Sequence, residues 1–390
     1  MTDPVYRRLG VLVEDVRDLY RNKTAMAVLR FRPEDVICVI DPTRTAEELE
    51  ILHSIAPNVP VVSDVAEAIA LGIEWLVVGV VTPGGYMPEE LRPILYAAIK
   101  ARVGVISGLH QSLQDPNLIA MSARYAVELV NLRKSPDNGE RVLATGRSRQ
   151  TKAFRVMVVG TDANIGKTTT ALGLERFLNR ERPRRVKAGF VSTSQDGRLV
   201  TGQGIAIDRV IADFAAGWTE RLVLEADRGG VDVLVVEGQN GIMSPYSGGT
   251  ALSLLHGTCP DAMILCHHPG RTHLRHTDVP MPAIMDQVKI YEALLAPIHP
   301  GKVVAISLNT VELDERAAIK AIQAASKATG LPCVDPIRQG AVGWQVLADA
   351  VLAARQPTTP KVKTVRLSKT TTKTQTKVKT KAKTATGRGA

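Results

Sequence analysis

Between residues 30 and 107, short β-branched runs alternate with stretches whose apolar positions recur at helical spacing. The runs fall at 36–40, 59–62, 75–81 and 103–107, and the amphipathic stretches at 46–55, 65–71 and 89–101. Strands that are hydrophobic almost without interruption are buried on both faces, so the pattern predicts a parallel sheet covered by helices. A polar stretch containing Pro136, Asn138 and Gly139 follows and reads as a linker over 136–153. A second alternation then runs from Phe154 to about Arg355, with buried strands expected at 154–159, 186–191, 231–236, 262–266 and 303–308. About 200 residues are ample for a core of their own.

Composition places this pattern in a folded, non-membrane chain. Of 390 residues, 45% are hydrophobic and 23% charged, and the length favours more than one domain. The formal net charge is +10, but ten Lys and Arg with no acid lie beyond residue 360, which leaves 39 basic against 39 acidic residues before it. The body is neutral, and a basic nucleic-acid-binding fold is not supported. The Thr- and Lys-rich segment 356–390 lacks the apolar area to offset ordering entropy and is expected to be disordered, with at most non-specific contacts to polyanions. Four cysteines form no CxxC pair, which argues against a disulfide scaffold. The N-terminal apolar run is too short for a signal-peptide core, and no run approaches the roughly 18 residues of a membrane span. A cytoplasmic location is the expectation.

The strongest motif is GTDANIGKTTT, from Gly160 to Thr170, preceded by a hydrophobic strand and followed by a helix with Ala171, Leu174 and Leu178 on one face. Glycines at 160 and 166 let backbone N–H groups turn inward, and the helix N-terminus adds positive potential. Lys167 reaches phosphate oxygens. Gly160, Thr161, Asp162, Gly166, Lys167, Thr168 and Thr169 are therefore the expected phosphate-binding residues, for CoA or ATP. The spacing is one residue longer than the commonest Walker pattern. Glu237 ends the hydrophobic run VDVLVVE, where P-loop folds present an acid. Thr168 and Glu237 would hold Mg²⁺ if a Mg-nucleotide binds.

The pair GTDANIGKT and VVEGQNG resembles dethiobiotin synthetase over the nucleotide-binding core. A wider resemblance covers both halves. NKTAMAVLRFRPEDVICVID, VVGVVTPGGYMPEEL and GVISGLH, followed in order by GTDANIGKTTTALGLERFL, GFVSTSQDG, GQGIAIDRVIADF, VVEGQNGIMSPYSGGTALSLLHG and CHHPGRTHLR, resemble the D-glutamate N-acetyltransferase family, long classed as a domain of unknown function. The resemblance implies an α/β chain: a Rossmann-like parallel-sheet domain over 1–135, then a P-loop domain over 154–355. It implies acetyl transfer from acetyl-CoA, as co-substrate, to the amine of a D-amino acid, with D-glutamate first. The motif alone fits an ATP/Mg²⁺-dependent ligase or kinase of the dethiobiotin-synthetase type. A nucleotide-dependent switch or scaffold is a third reading, resting mainly on the basic tail. The expected partners are the small-molecule amino acid and acetyl-CoA, with a homo-oligomer left open.

Acetyl transfer needs a base for the amine, donors for a developing oxyanion and cations for substrate carboxylates. The segment HHPGRTHLRH supplies His268 and His273 as candidate bases beside Glu237, and Arg271 and Arg275 as a carboxylate clamp. Its bland reading is a polar surface loop. Ser247 and Gly248, in SPYSGGT, are candidate backbone donors to substrate, or a simple turn. His256, Cys259, Cys266 and His267 fit no zinc pattern. Asp208 and Asp213 are expected on one helix, off a common face. TPGG (82–85) and SGLH (107–110) fall at strand ends and are expected to complete a cleft against the P-loop domain. His110 reads as a packing or capping residue.

Overall fold

The computed structural model describes residues 5–43, 45–136, 141–181 and 186–355; the Thr/Lys-rich tail expected to be disordered lies outside them. The first half opens with β1 (Leu9–Leu12), α1 (Lys23–Phe31), β2 (Val36–Ile40), α2 (Ala46–Ile55), β3 (Val61–Val62) and α3 (Val65–Ala70). It continues with β4 (Trp75–Val78), α4 (Arg92–Lys100), β5 (Gly104–Ser107), α5 (Pro116–Tyr125) and β6 (Leu129–Asn131). All pairings are parallel, and the strand order is β3-β2-β1-β4-β5-β6. That is the Rossmann arrangement, with its switch point between β1 and β4.

Sequence periodicity located β2 and α2 to the residue. It missed β1, whose four residues are fully buried, and α1, which precedes the first run recognised. Thr45 caps α2 by accepting from the Glu48 N–H while the Glu48 carboxylate accepts from the Thr45 N–H, a reciprocal capping box.

The second half comprises β7 (Phe154–Gly160), α6 (Lys167–Glu181), β8 (Ala188–Val191), α7 (Gln195–Thr201), α8 (Ala212–Asp227), β9 (Val233–Glu237) and α9 (Gly248–Thr258). After these come β10 (Ala262–His267), α10 (Ile284–Leu295), β11 (Lys302–Leu308), α11 (Glu315–Thr329), β12 (Cys333–Val334) and α12 (Ala341–Arg355). This sheet is also parallel, in the order β12-β11-β10-β7-β9-β8. β7 lies at its centre, between β9 and β10, so the loop after β7 emerges at the topological switch point, where open α/β sheets bind ligands. Ala171, Leu174 and Leu178 of α6 pack with Val156, Val158 and Val235 in one of the two cores flanking the sheet.

Within the stretch read as a linker, Thr145 and Arg147 donate backbone N–H groups to the buried Glu220 carboxylate on α8, and Ser148 donates to the Gly257 carbonyl. One expectation is corrected. Asp208 and Asp213 do not share a helix. Asp208 sits in a short 3₁₀ turn (Ile207–Arg209), and α8 begins at Ala212.

The two halves form one compact unit. α1 packs Ala27 and Phe31 against Leu172 of α6 and Val200 of α7. Arg32 and Arg176 reach across to the Leu199 and Phe31 carbonyls respectively.

Candidate functional site

After Gly160 the chain folds back on itself before α6 begins at Lys167. Gly166 has φ 98°, a left-handed conformation that side chains disfavour. A Cβ on Gly160 would lie 2.8 Å from Lys167 Cδ, so glycine there lets the lysine lie over the strand end. Lys167 Nζ donates to the Asp162 carbonyl at 2.6 Å. Burial pushes the ammonium down to about 8. A desolvated cation at a helix N-terminus is what a phosphate stabilises.

The loop is braced from several sides. Buried Tyr291 donates to the Gly160 carbonyl at 2.7 Å and accepts from the Ile242 N–H. The Asp162 carboxylate, fully buried, accepts from the Ala163 and Arg275 N–H groups and from Arg271. Arg271 also donates to the Ala163 and Asn164 carbonyls. Its guanidinium therefore holds the phosphate loop from behind, a different task from the substrate clamp expected of it. Arg275 and Arg271 both stack on Tyr20 of the first half, at 5.4 Å from the ring centre.

Glu237 ends β9 beneath the loop. Its Oε1 accepts from Thr168 Oγ1 at 2.5 Å and Ser194 Oγ at 2.7 Å; its Oε2 accepts from the Thr193 and Ser194 N–H groups. Burial pushes the carboxyl up, and those donors oppose the shift. With both oxygens engaged, Glu237 fastens the loop to the strand. Thr168 spends its proton on Glu237 and keeps its oxygen lone pairs.

A cleft of about 710 Å³ runs from this loop to the first half of the chain. Thr168, Glu237 and Ser247 line it, and Lys23, Met26, Ala27 and Arg30 of α1, with His110 and Arg133, form the opposite wall. The expected bases are dispersed. Glu237 lines the cleft. His268 is buried, its ring nitrogens make no hydrogen bond among the described residues, Glu312 stands 3.6 Å from Nε2, and it does not line the cleft. Burial pushes it below the ordinary histidine range. His273 is exposed, beside Thr272 in a bridge to Pro280, away from the cleft. Ser247 precedes α9 and donates its hydroxyl to Ser244 Oγ; Gly248, the first residue of α9, donates its N–H to the Ser244 carbonyl.

Sequence reasoning did not single out Lys23, Arg30, Arg133, Gln195 or Asp196, which all line the cleft. The signal for the first two was present in the spacing of Lys23, Met26, Ala27 and Arg30, one helical face. TPGG contributes indirectly, since Gly85 packs against His110, where a Cβ would lie 2.6 Å from the histidine.

Two parallel sheets, one carrying the loop between β7 and α6 that opens on a shared cleft, define a two-domain α/β protein. Residues 142–343 match the P-loop domain of the DUF1611 family, and residues 42–135 match its Rossmann-like N-terminal domain. The chain belongs to this family. It is 34% identical over 281 residues to a protein of Pseudoalteromonas sp. named D-glutamate N-acetyltransferase, covering 71% of this chain and 81% of that one. It is 33% identical over 330 residues to a protein of the same name from Tritonibacter scottomollicae, covering 84% and 94%. The crystal structure of a DUF1611 family protein from Anabaena variabilis superposes with a TM-score of 0.81 at 33% identity, over 89% of this chain and 99% of that one. The ATP-dependent dethiobiotin synthetase of Rhodopseudomonas palustris is 27% identical over 144 residues, covering 33% of this chain and 68% of that one. Among the described residues, no helix is long and apolar enough to cross a membrane.

Proposed function

We propose that this protein transfers an acetyl group from acetyl-CoA to the amine of a D-amino acid, with D-glutamate the first candidate. The observation that carries the reading is the cleft, which joins a buried-lysine phosphate loop to a charged wall on the other domain. It offers one chain places for a phosphate-bearing donor and a small charged acceptor. The names of the relatives that span most of the chain support the same reaction. Lys167 and the loop N–H groups would hold donor phosphates. The acceptor nitrogen bonds to the acetyl carbon and the thioester C–S bond breaks. Of the two protons the ammonium loses, one leaves on the CoA thiol and the other goes to solvent.

The test is purified protein incubated with acetyl-CoA and a panel of D- and L-amino acids, following free thiol and, in parallel, ATP hydrolysis. Thiol release with D-glutamate, without ATP or Mg²⁺, is the expected result. The second reading, an ATP-dependent ligase or kinase, draws on the Thr168–Glu237 contact and the dethiobiotin-synthetase similarity. Thr168 and Glu237 would then hold Mg²⁺, which neutralises phosphate charge. Acyl transfer strictly dependent on ATP, or the absence of thiol release with every amino acid tried, favours that reading.

A further inference from the structure

The cleft wall away from the phosphate loop carries alternating charges drawn from both domains. Lys23 Nζ lies 3.2 Å from Asp196 Oδ2, and Thr24 donates to Asp196 Oδ1 at 2.5 Å. Arg133 donates to Asp208 Oδ2 and, through Nε, to the Gly108 carbonyl at 2.6 Å. His110 Nε2 stands 3.5 Å from the same Asp208 oxygen. The two acids and Arg133 are largely withdrawn from water, the side chain of Asp196 being 3% exposed, Arg133 8% and Asp208 18%, while Lys23 and His110 reach further into the open cleft at 30% and 43%. Burial pushes Arg133 down to about 10, and burial together with Arg133, Arg209 and Lys23 pushes His110 down to about 4, so the imidazole is neutral at pH 7.

Among the described residues, two polar atoms in this wall have no hydrogen-bond partner. Asp208 Oδ1 accepts nothing, and Nε2 of Gln195, a residue only 1% exposed, donates to nothing. Buried unmatched polar atoms are uncommon in native proteins, and each needs a cause. Buried ion pairs contribute little net stability, so folding alone is a poor account of four opposed charges here. One acceptor and one donor, each left open beside charges of both signs, match a ligand that is itself a zwitterion.

We propose that this interdomain wall is the acceptor subsite, taking a free amino acid whose ammonium meets Asp208 and whose carboxylate meets Lys23 and Gln195. The proposal rests on the acetyl-transfer reading and adds where the acceptor binds. Lys23 offers the N–H groups not turned to Asp196, and Gln195 its unpartnered amide. Arg133 and neutral His110 act as positioning residues by fixing the Asp208 carboxylate between them. A simple amine would leave Lys23 and Gln195 unused, and a carboxylic acid without an amine would leave Asp208 unused. Both should be poor acceptors.

The experiment compares wild type with Asp208→Asn, Lys23→Met and Gln195→Leu in two assays. One is steady-state kinetics with D-glutamate and acetyl-CoA varied separately; the other is D-glutamate binding by calorimetry, with thermal melting to confirm folding. Losing one charge-assisted contact should raise the D-glutamate KM about 10- to 100-fold in Asp208→Asn and Lys23→Met, and losing the neutral Gln195 contact about 5-fold. The acetyl-CoA KM should stay within about threefold. Unchanged D-glutamate KM and affinity in the three variants overturns the proposal, as does an equal rise in both KM values, which would indicate distorted domain packing. If wild type transfers no acetyl group but binds D-glutamate and Asp208→Asn does not, the subsite stands and the acetyl-transfer reading falls. No binding to wild type removes both.

Discussion

Lys167→Ala separates the two chemistries the phosphate loop can serve. In the fold, Lys167 is a buried ammonium whose one hydrogen bond among the described residues goes to the Asp162 carbonyl. Its desolvation opposes folding, so truncating it relieves a cost while leaving one carbonyl without its donor. The melting temperature should therefore change little. A donor phosphate loses one charge-assisted hydrogen bond, about 1.5–3 kcal/mol. That corresponds to roughly a 10- to 150-fold rise in the acetyl-CoA Kd. On the acetyl-transfer reading the donor still has its adenine and pantetheine arm to bind, so kcat at saturating donor should fall less than tenfold. Calorimetric titration with acetyl-CoA, alongside thiol-release kinetics, measures both quantities. A collapse of kcat by three orders of magnitude with donor affinity intact would refute the reasoning, because it would place Lys167 on charge that develops only during reaction.

Further outcomes follow from the same geometry. Because burial holds Lys167 at about 8 in the free protein and a bound phosphate raises that value, acetyl-CoA binding should take up protons as pH rises through 8. Affinity should weaken above that pH. Below it the lysine is charged in both states and uptake vanishes, so titrations at pH 6.5 and 8.5 in buffers of different ionisation enthalpy check the sign. Arg271→Ala leaves the buried Asp162 carboxylate without its cationic partner and should cost about 3 kcal/mol of stability, with weaker acetyl-CoA binding. A rise confined to the amino-acid KM would restore Arg271 as a substrate clamp. His273→Ala, at an exposed position outside the cleft, should leave kcat and both KM values within about twofold. Arg30 lines the cleft and, among the described residues, makes no hydrogen bond or ion pair. Arg30→Ala should raise the KM for acetyl-CoA more than that for 3′-dephospho-acetyl-CoA; equal effects on the two would exclude a contact to that phosphate.

What the sequence made legible follows from how far apart the interacting residues lie. Strands buried on both faces write themselves as unbroken β-branched runs, so β2, β7, β9 and β11 could be read without knowing their neighbours. The phosphate loop was equally legible, because its glycines, lysine and threonine act through backbone within one turn. Glu237 could be placed at its strand end, though not its four donors, since Thr193 and Ser194 come from the loop after β8. The cluster at 267–276 misled for the converse reason. Its local density of His and Arg suggested substrate chemistry, whereas Arg271 is turned to the phosphate loop and His273 to the surface. The charged wall was invisible to any local pattern: Thr24 meets Asp196 across 172 residues, and Arg133 meets Asp208 across 75. Lys23 begins α1 of the first domain and Asp196 lies on α7 of the second, and neither carries a local sign of the other. Periodicity records which face of an element is buried. It does not record that two polar faces from different domains are buried against each other, and in this chain that meeting is what completes the cleft.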